Sequence, residues 1–264
     1  MPGRLHRAEP CMGTTITLDI VDLAARADAS LLADATFAWF TEVDRRFSTY
    51  RPDSEVSRLD RGEPPDTLSP DLRHVLEACE RMREATRGYF DAYATGRFDP
   101  SGYVKGWSVQ VASDRLRDAG LVNHCINAGG DVRVCGEGPE GDGWRVGVRH
   151  PKRADAVAWI VVGTDLAVAT SGTYERGFHV LDPFSGAPAT YLCSVTVTGP
   201  DLGVADAYAT AAVAMGERGP EWLASLEGYE CAVVTAEGAA MRSPSLPLLP
   251  PTAAPRGVAS PGAG

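Results

Sequence analysis

Cysteines at metal-ligand spacing are missing from this chain. Its six cysteines (Cys11, Cys79, Cys125, Cys135, Cys193 and Cys231) are scattered without a CxxC pair. That excludes a zinc-ribbon or thioredoxin-like site and reads as small buried residues in a reducing compartment. No apolar core follows the opening MPGRLHRAEPCMGTT, so no secretory signal is read there and a cytoplasmic location is expected. No run of apolar residues is long enough for a membrane span. Positive charge is also scarce: 25 Lys and Arg stand against 35 Asp and Glu, a net charge of −10. Broad binding to nucleic acid or to anionic membranes is therefore excluded. There is no GxGxxG between a strand and a helix and no Walker loop, so neither familiar nucleotide cradle applies.

What is present is the composition of a soluble globular protein, 264 residues long with 44% hydrophobic and 23% charged residues. Ile16, Leu18 and Ile20 alternate with polar residues between Met12 and Val21, the pattern of a half-buried strand. Ala27 to Phe47 carries apolar residues at helical spacing. Ser69-Pro70-Asp71 opens a second helix, with serine at the cap and proline in the first turn. A third helix is expected from about Val104 to Ala119. From Cys125 onward short strands follow one another through Gly- and Asp-rich turns, and a last strand is expected at Cys231 to Thr235. Such runs, without strict βαβ alternation, predict an α+β fold with mostly antiparallel sheets and packed helices. One domain, or two intertwined subdomains, is expected over residues 1–242. After it, SPSLPLLPPTAAPRGVASPGAG holds six of the nineteen prolines and reads as a disordered tail over 243–264.

The candidate chemistry centres on GVADAYATAAVAM, Gly203 to Met215. Its alanines predict a helix, on which Asp206 and Thr210 stand one turn apart on one face. A carboxylate and a hydroxyl so placed suit a hard divalent cation, although a helix start also favours an acid by itself. Four loops accompany it. Asp99-Pro100-Ser101-Gly102, ahead of Lys105, fits either an anion site or an ordinary capped turn. Asn127-Ala128-Gly129-Gly130-Asp131 fits a bulge or a close backbone approach to a ligand. Thr170 to Arg176 is rich in hydroxyls. His179-Val180 ends an apolar strand before a tight turn, and its histidine has the pKa range to take a proton from a hydroxyl.

Taken in order, these pieces resemble the ApbE family, the FAD:protein FMN transferases. The resemblance is carried by Met12-Gly13-Thr14, FSTYRPDSEVSRL from Phe47, GYFDA from Gly88, DPSGYVKGW from Asp99 and NAGGDVRVCG from Asn127. It continues in TSGTYERGFHVLDPFSGAP from Thr170, SVTVTGP from Ser194 and ADAYAT from Ala205. It implies an ApbE-like (T-fold-like) architecture and a Mg²⁺-dependent reaction. In that reaction FAD is the substrate, its pyrophosphate is cleaved, FMN passes through its phosphate to a Thr or Ser of an acceptor protein, and AMP leaves. By position, the resemblance assigns Asp206, Thr210 and the Gly102 carbonyl to the metal. It assigns Met12, Tyr50, Tyr89, Phe90, Asp91, Asp99, Lys105, His179 and Val180 to FAD, with Tyr50 or Tyr89 stacking on a ring. His179 is the expected base, and Asp206 helps place the nucleophile. The chain between Asp91 and Asp99 is shorter than in typical members, which bears on how the acceptor docks. Two further readings use the same motifs: a hydrolase giving FMN and AMP, and a non-catalytic FAD-binding protein.

Overall fold

A computed structural model describes residues 3–21, 28–153, 155–172 and 180–249. Its spine is an eight-stranded antiparallel sheet of spatial order β1-β2-β3-β4-β7-β8-β9-β10. The strands are β1 (Leu5–Cys11), β2 (Thr14–Ile20), β3 (His124–Ala128), β4 (Asp131–Cys135), β7 (Asp165–Gly172), β8 (Leu192–Gly199), β9 (Glu230–Thr235) and β10 (Ala240–Arg242). A separate hairpin pairs β5 (Trp144–Arg149) with β6 (Val157–Gly163). The helices are α1 (Ala29–Phe47), α2 (Glu55–Asp60), α3 (Pro70–Ala85), α4 (Ser101–Asp118), α5 (Leu202–Met215) and α6 (Gly219–Ala224). The expected α+β class with antiparallel sheet is what the structure has.

The sheet is covered on both sides, and each side has its own apolar cluster. One joins Ile16, Leu18, Ile126, Val195 and Val197 of the strands to Phe40, Val109, Ala209 and Val213 of the helices. The other packs Trp144, Val146, Val148 and Val161 of the hairpin on Val132, Val134 and Val168. A strand covered on both faces must be buried at every position, and all five residues of β4 are. The sheet ends are protected: β1 carries Pro10 and β10 is three residues long. α5 is buried almost all round, as an alanine-rich helix without a polar face should be, and it packs against α4, β7 and β8.

Three expectations are corrected. α4 begins at Ser101, a turn before Val104, because Asp99 Oδ1 accepts the Ser101 amide (3.0 Å) and the Pro100 carbonyl accepts those of Tyr103 and Val104 (2.9 Å each). The pair Gly129-Gly130 is not a bulge but a two-residue hairpin turn between paired Ala128 and Asp131, with φ of +59° and +100°. Residues 243–249, placed by sequence in the tail, are docked instead: Ser243 bonds to Cys231 of β9, and 247–249 run along β6 of the hairpin. Val162 donates to the Pro247 carbonyl and Leu249 to that of Ile160 (2.8 Å each), while Leu246 is buried.

His124, on β3, is fully buried between the helix and sheet layers. Its Nδ1 meets the Leu121 carbonyl at 2.6 Å and its Nε2 the Ser113 hydroxyl at 2.7 Å. A carbonyl only accepts, so the proton sits on Nδ1 and Nε2 accepts from Ser113. Burial pushes the imidazole from 6.5 down to about 4. Between those values the unfolded chain binds the proton and the folded one does not. Stability is therefore full above pH 6.5 and falls as pH drops toward 4, by about 3 kcal/mol from this residue. Denaturant melts at pH 7.5, 6 and 4.5 should show that decline, and His124→Gln should flatten it. An unchanged slope in the variant would refute the assignment.

Candidate active site

The site is built where α4 crosses α5. Gly106 lies at the crossing, and a Cβ there would stand 2.4 Å from the Leu202 carbonyl oxygen and 3.0 Å from the Asp206 Cβ. Its own amide donates to Asp206 Oδ2 at 3.3 Å. In a regular helix this amide is directed at the Gly102 carbonyl, so Asp206 competes for the proton that would otherwise engage that oxygen. Lys105, beside it, pairs with Asp131, and its Nζ lies 4.0 Å from Asp206 Oδ2. Asp131 is fully buried, and its second oxygen accepts the Thr170 amide at 3.2 Å. A buried carboxylate needs such partners, and here they tie the start of β4 to β7 and to the lysine.

One turn after Asp206, Thr210 Oγ1 lies 3.2 Å from Ser171 Oγ. Gly102 sits against the same hydroxyl: a Cβ on it would come within 3.3 Å of both Thr210 Oγ1 and the Phe90 ring. These groups line a cleft of about 180 Å³ whose far wall holds Tyr89, Asp91, Asp99 and Val180. Thr86 fixes that wall, since its hydroxyl accepts the Phe90 amide at 2.9 Å and donates to the Met82 carbonyl at 2.8 Å. Tyr89 is held edge-on by Phe184 (centroids 4.9 Å apart), and its hydroxyl accepts from Arg218. Among the described residues no three His, Cys, Asp or Glu side chains gather as a metal cluster. Around Thr210 the oxygens of the Asp206 carboxylate, the Thr210 and Ser171 hydroxyls and the Gly102 carbonyl make a hard set that suits Mg²⁺ better than zinc.

Of the residues singled out from sequence, the cleft lining brings together Tyr89, Phe90, Asp91, Asp99, Gly102, Lys105, Val180, Asp206 and Thr210. Met12 stands outside that lining, in the β1–β2 turn with φ of +51°, its sulfur 3.9 Å from Ser108 Oγ. Tyr50 is 95% exposed and also stands outside it. His179 falls outside the described residues, though Val180, next in the chain, lines the cleft. Asp131 was overlooked as a site residue. Its signal was an acid directly after a Gly-Gly turn, on a strand otherwise rich in valine.

The ApbE family model matches residues 12–96 and 93–233, most of the chain. The chain belongs to the ApbE family. The two matched stretches meet between Asp91 and Asp99, at the short connection noted in the sequence. A FAD:protein FMN transferase of Vibrio cholerae is 27% identical over 274 residues, covering 81% of this chain and 82% of the relative. A Haemophilus influenzae protein of the same name is 23% identical, covering 78% of this chain and 79% of its own length. Among solved structures, the flavin transferase ApbE from Vibrio cholerae superposes with a TM-score of 0.83 at 25% identity, covering 94% of this chain and 99% of that one. The apbe protein from Thermotoga maritima shares the fold with a TM-score of 0.81 at 22% identity, covering 92% and 97%. The ApbE architecture expected from the motifs is thus the one found.

Proposed function

We propose that this chain is a Mg²⁺-dependent FAD:protein FMN transferase. The observation that carries the reading is the meeting of Asp206, Thr210, Gly102 and Lys105 on one cleft with the Tyr89-Phe90 wall. Binding of a flavin alone does not require a lysine and an acidic residue set around a hard-oxygen site, so turnover is the better account. Bound Mg²⁺ would neutralise the pyrophosphate and steady the departing AMP. Asp206, Thr210 and the Gly102 carbonyl are the groups assigned to hold it, and Lys105, paired with Asp131, is the cation assigned to the phosphates. The acceptor hydroxyl oxygen bonds to the FMN phosphorus, the bond from that phosphorus to the bridging oxygen breaks, and AMP carries the bridging oxygen away. The hydroxyl proton goes to a base, the role assigned to His179. Tyr89, pinned by Arg218 and Phe184, offers a fixed face for a ring of FAD.

The test is incubation with FAD and MgCl₂, with and without Thr-containing acceptor peptides, following AMP, free FMN and peptide mass. AMP together with a peptide heavier by one FMN less water is the expected result. AMP with only free FMN would make the protein a hydrolase. FAD binding without AMP under every condition would leave a binding protein.

A further inference from the structure

A second cleft opens off the first. Gly129 and Thr170 line both, so the two adjoin there. At about 570 Å³ it is the roomier of the two, and it runs between the Gly13-Thr14 turn and β5. β5 lends it Val146, Gly147, Val148 and Arg149 in unbroken succession. Successive strand residues point to opposite faces, so a wall made of four neighbours presents the backbone edge of the strand. Among the described residues β5 pairs with β6 alone. Room is left at two of its glycines: a Cβ on Gly13 would meet nothing within 4 Å, and one on Gly147 would make only ordinary contact, with Val157 at 3.6 Å. The described lining holds no aromatic ring, in contrast to the Tyr89-Phe90 wall of the first cleft. Main chain on offer, no ring to stack on, and a border shared with the cleft of the reacting groups suit a polypeptide rather than a flavin or an adenine.

We propose that this groove receives the acceptor protein as an extended segment that adds to the free edge of β5. The proposal rests on the transferase reading above. Pairing with a strand edge supplies affinity through main-chain hydrogen bonds with little demand on sequence. The segment then runs past Gly129 and Thr170, which brings its Thr or Ser to the first cleft. Arg149, the only ionisable side chain among the described lining residues, favours an acidic acceptor residue beside it.

Gly147→Leu adds bulk at the β5 edge, and Arg149→Ala, at an exposed position, is the variant least able to disturb folding. FAD affinity by flavin fluorescence and acceptor-independent AMP release should stay within about twofold of the unsubstituted protein, while the acceptor KM rises at least about tenfold in Gly147→Leu. Arg149→Ala should raise the KM in the same direction, and more for a peptide with an acidic residue than for its amide counterpart. Weaker FAD binding in either variant would hand the groove to FAD and overturn the proposal. Unchanged acceptor kinetics in both would overturn it too. Failure of the unsubstituted protein to flavinylate any acceptor would instead sink the transferase reading, and the groove assignment with it.

Discussion

Asp206→Ala should lower AMP release from FAD by about a hundred- to a thousandfold, the range for losing one main electrostatic support of a transition state. The carboxylate is 3% exposed, receives the Gly106 amide and lies 4.0 Å from the Lys105 ammonium. Its loss removes the only carboxylate of the proposed metal set and leaves the lysine with Asp131. Folding should survive, because alanine is the best helix former and α5 is already rich in it. The defect should therefore appear in AMP release and in its Mg²⁺ dependence, with the thermal midpoint moved by only a few degrees. Asp206→Asn keeps an acceptor oxygen for the Gly106 amide but not the charge. If it were as active as the unsubstituted protein, Asp206 would be a packing residue and the metal assignment would fall. Lys105→Ala distinguishes the neighbouring role: it should weaken FAD binding while leaving the Mg²⁺ requirement in place.

The parts of this molecule that sequence discloses are those whose burial is periodic. Ile16, Leu18 and Ile20 face one side of β2, and all three are fully buried. Ser69 caps α3 through the Leu72 amide, as Ser-Pro-Asp predicts. β1 escaped notice because its burial alternates only between partial and exposed, so its place rests on pairing with β2 rather than on an apolar face. Residues 243–249 are not legible because proline-rich composition says nothing about docking on β9 and β6 through isolated hydrogen bonds. Within the site, Asp206 and Thr210 are legible together because helical spacing alone stacks them. Lys105 and Asp131 are not, being 26 residues apart and joined only when α4 lies over β4. Tyr50 marks the opposite limit. A motif can place a residue in a chain, while its 95% exposure is set by a loop whose course the motif does not encode.

Gly106→Ala is expected to damage the fold out of proportion to its size. On an isolated helix the change would be favourable by about 1 kcal/mol, since glycine is the poorer helix former. Here the added Cβ would lie 2.4 Å from the Leu202 carbonyl oxygen, a backbone atom that cannot swing aside, and 3.0 Å from the Asp206 Cβ. Relief requires α4 and α5 to separate, at a cost of about 1–3 kcal/mol for overpacking or more where rigid backbone is struck. The clash exceeds the propensity gain, so urea midpoints should fall. Separation would also carry Lys105 away from Asp206, so activity should drop even at temperatures where the variant stays folded. Gly102→Ala provides the control one turn earlier. Its Cβ would come no closer than 3.3 Å to Thr210 Oγ1 and the Phe90 ring, both side-chain atoms able to yield. Stability there should hold within about 1 kcal/mol, helped by the same propensity gain. A Gly106→Ala protein as stable as Gly102→Ala would show that the α4–α5 crossing has slack, and that the spacing of Lys105 and Asp206 is not set by this glycine.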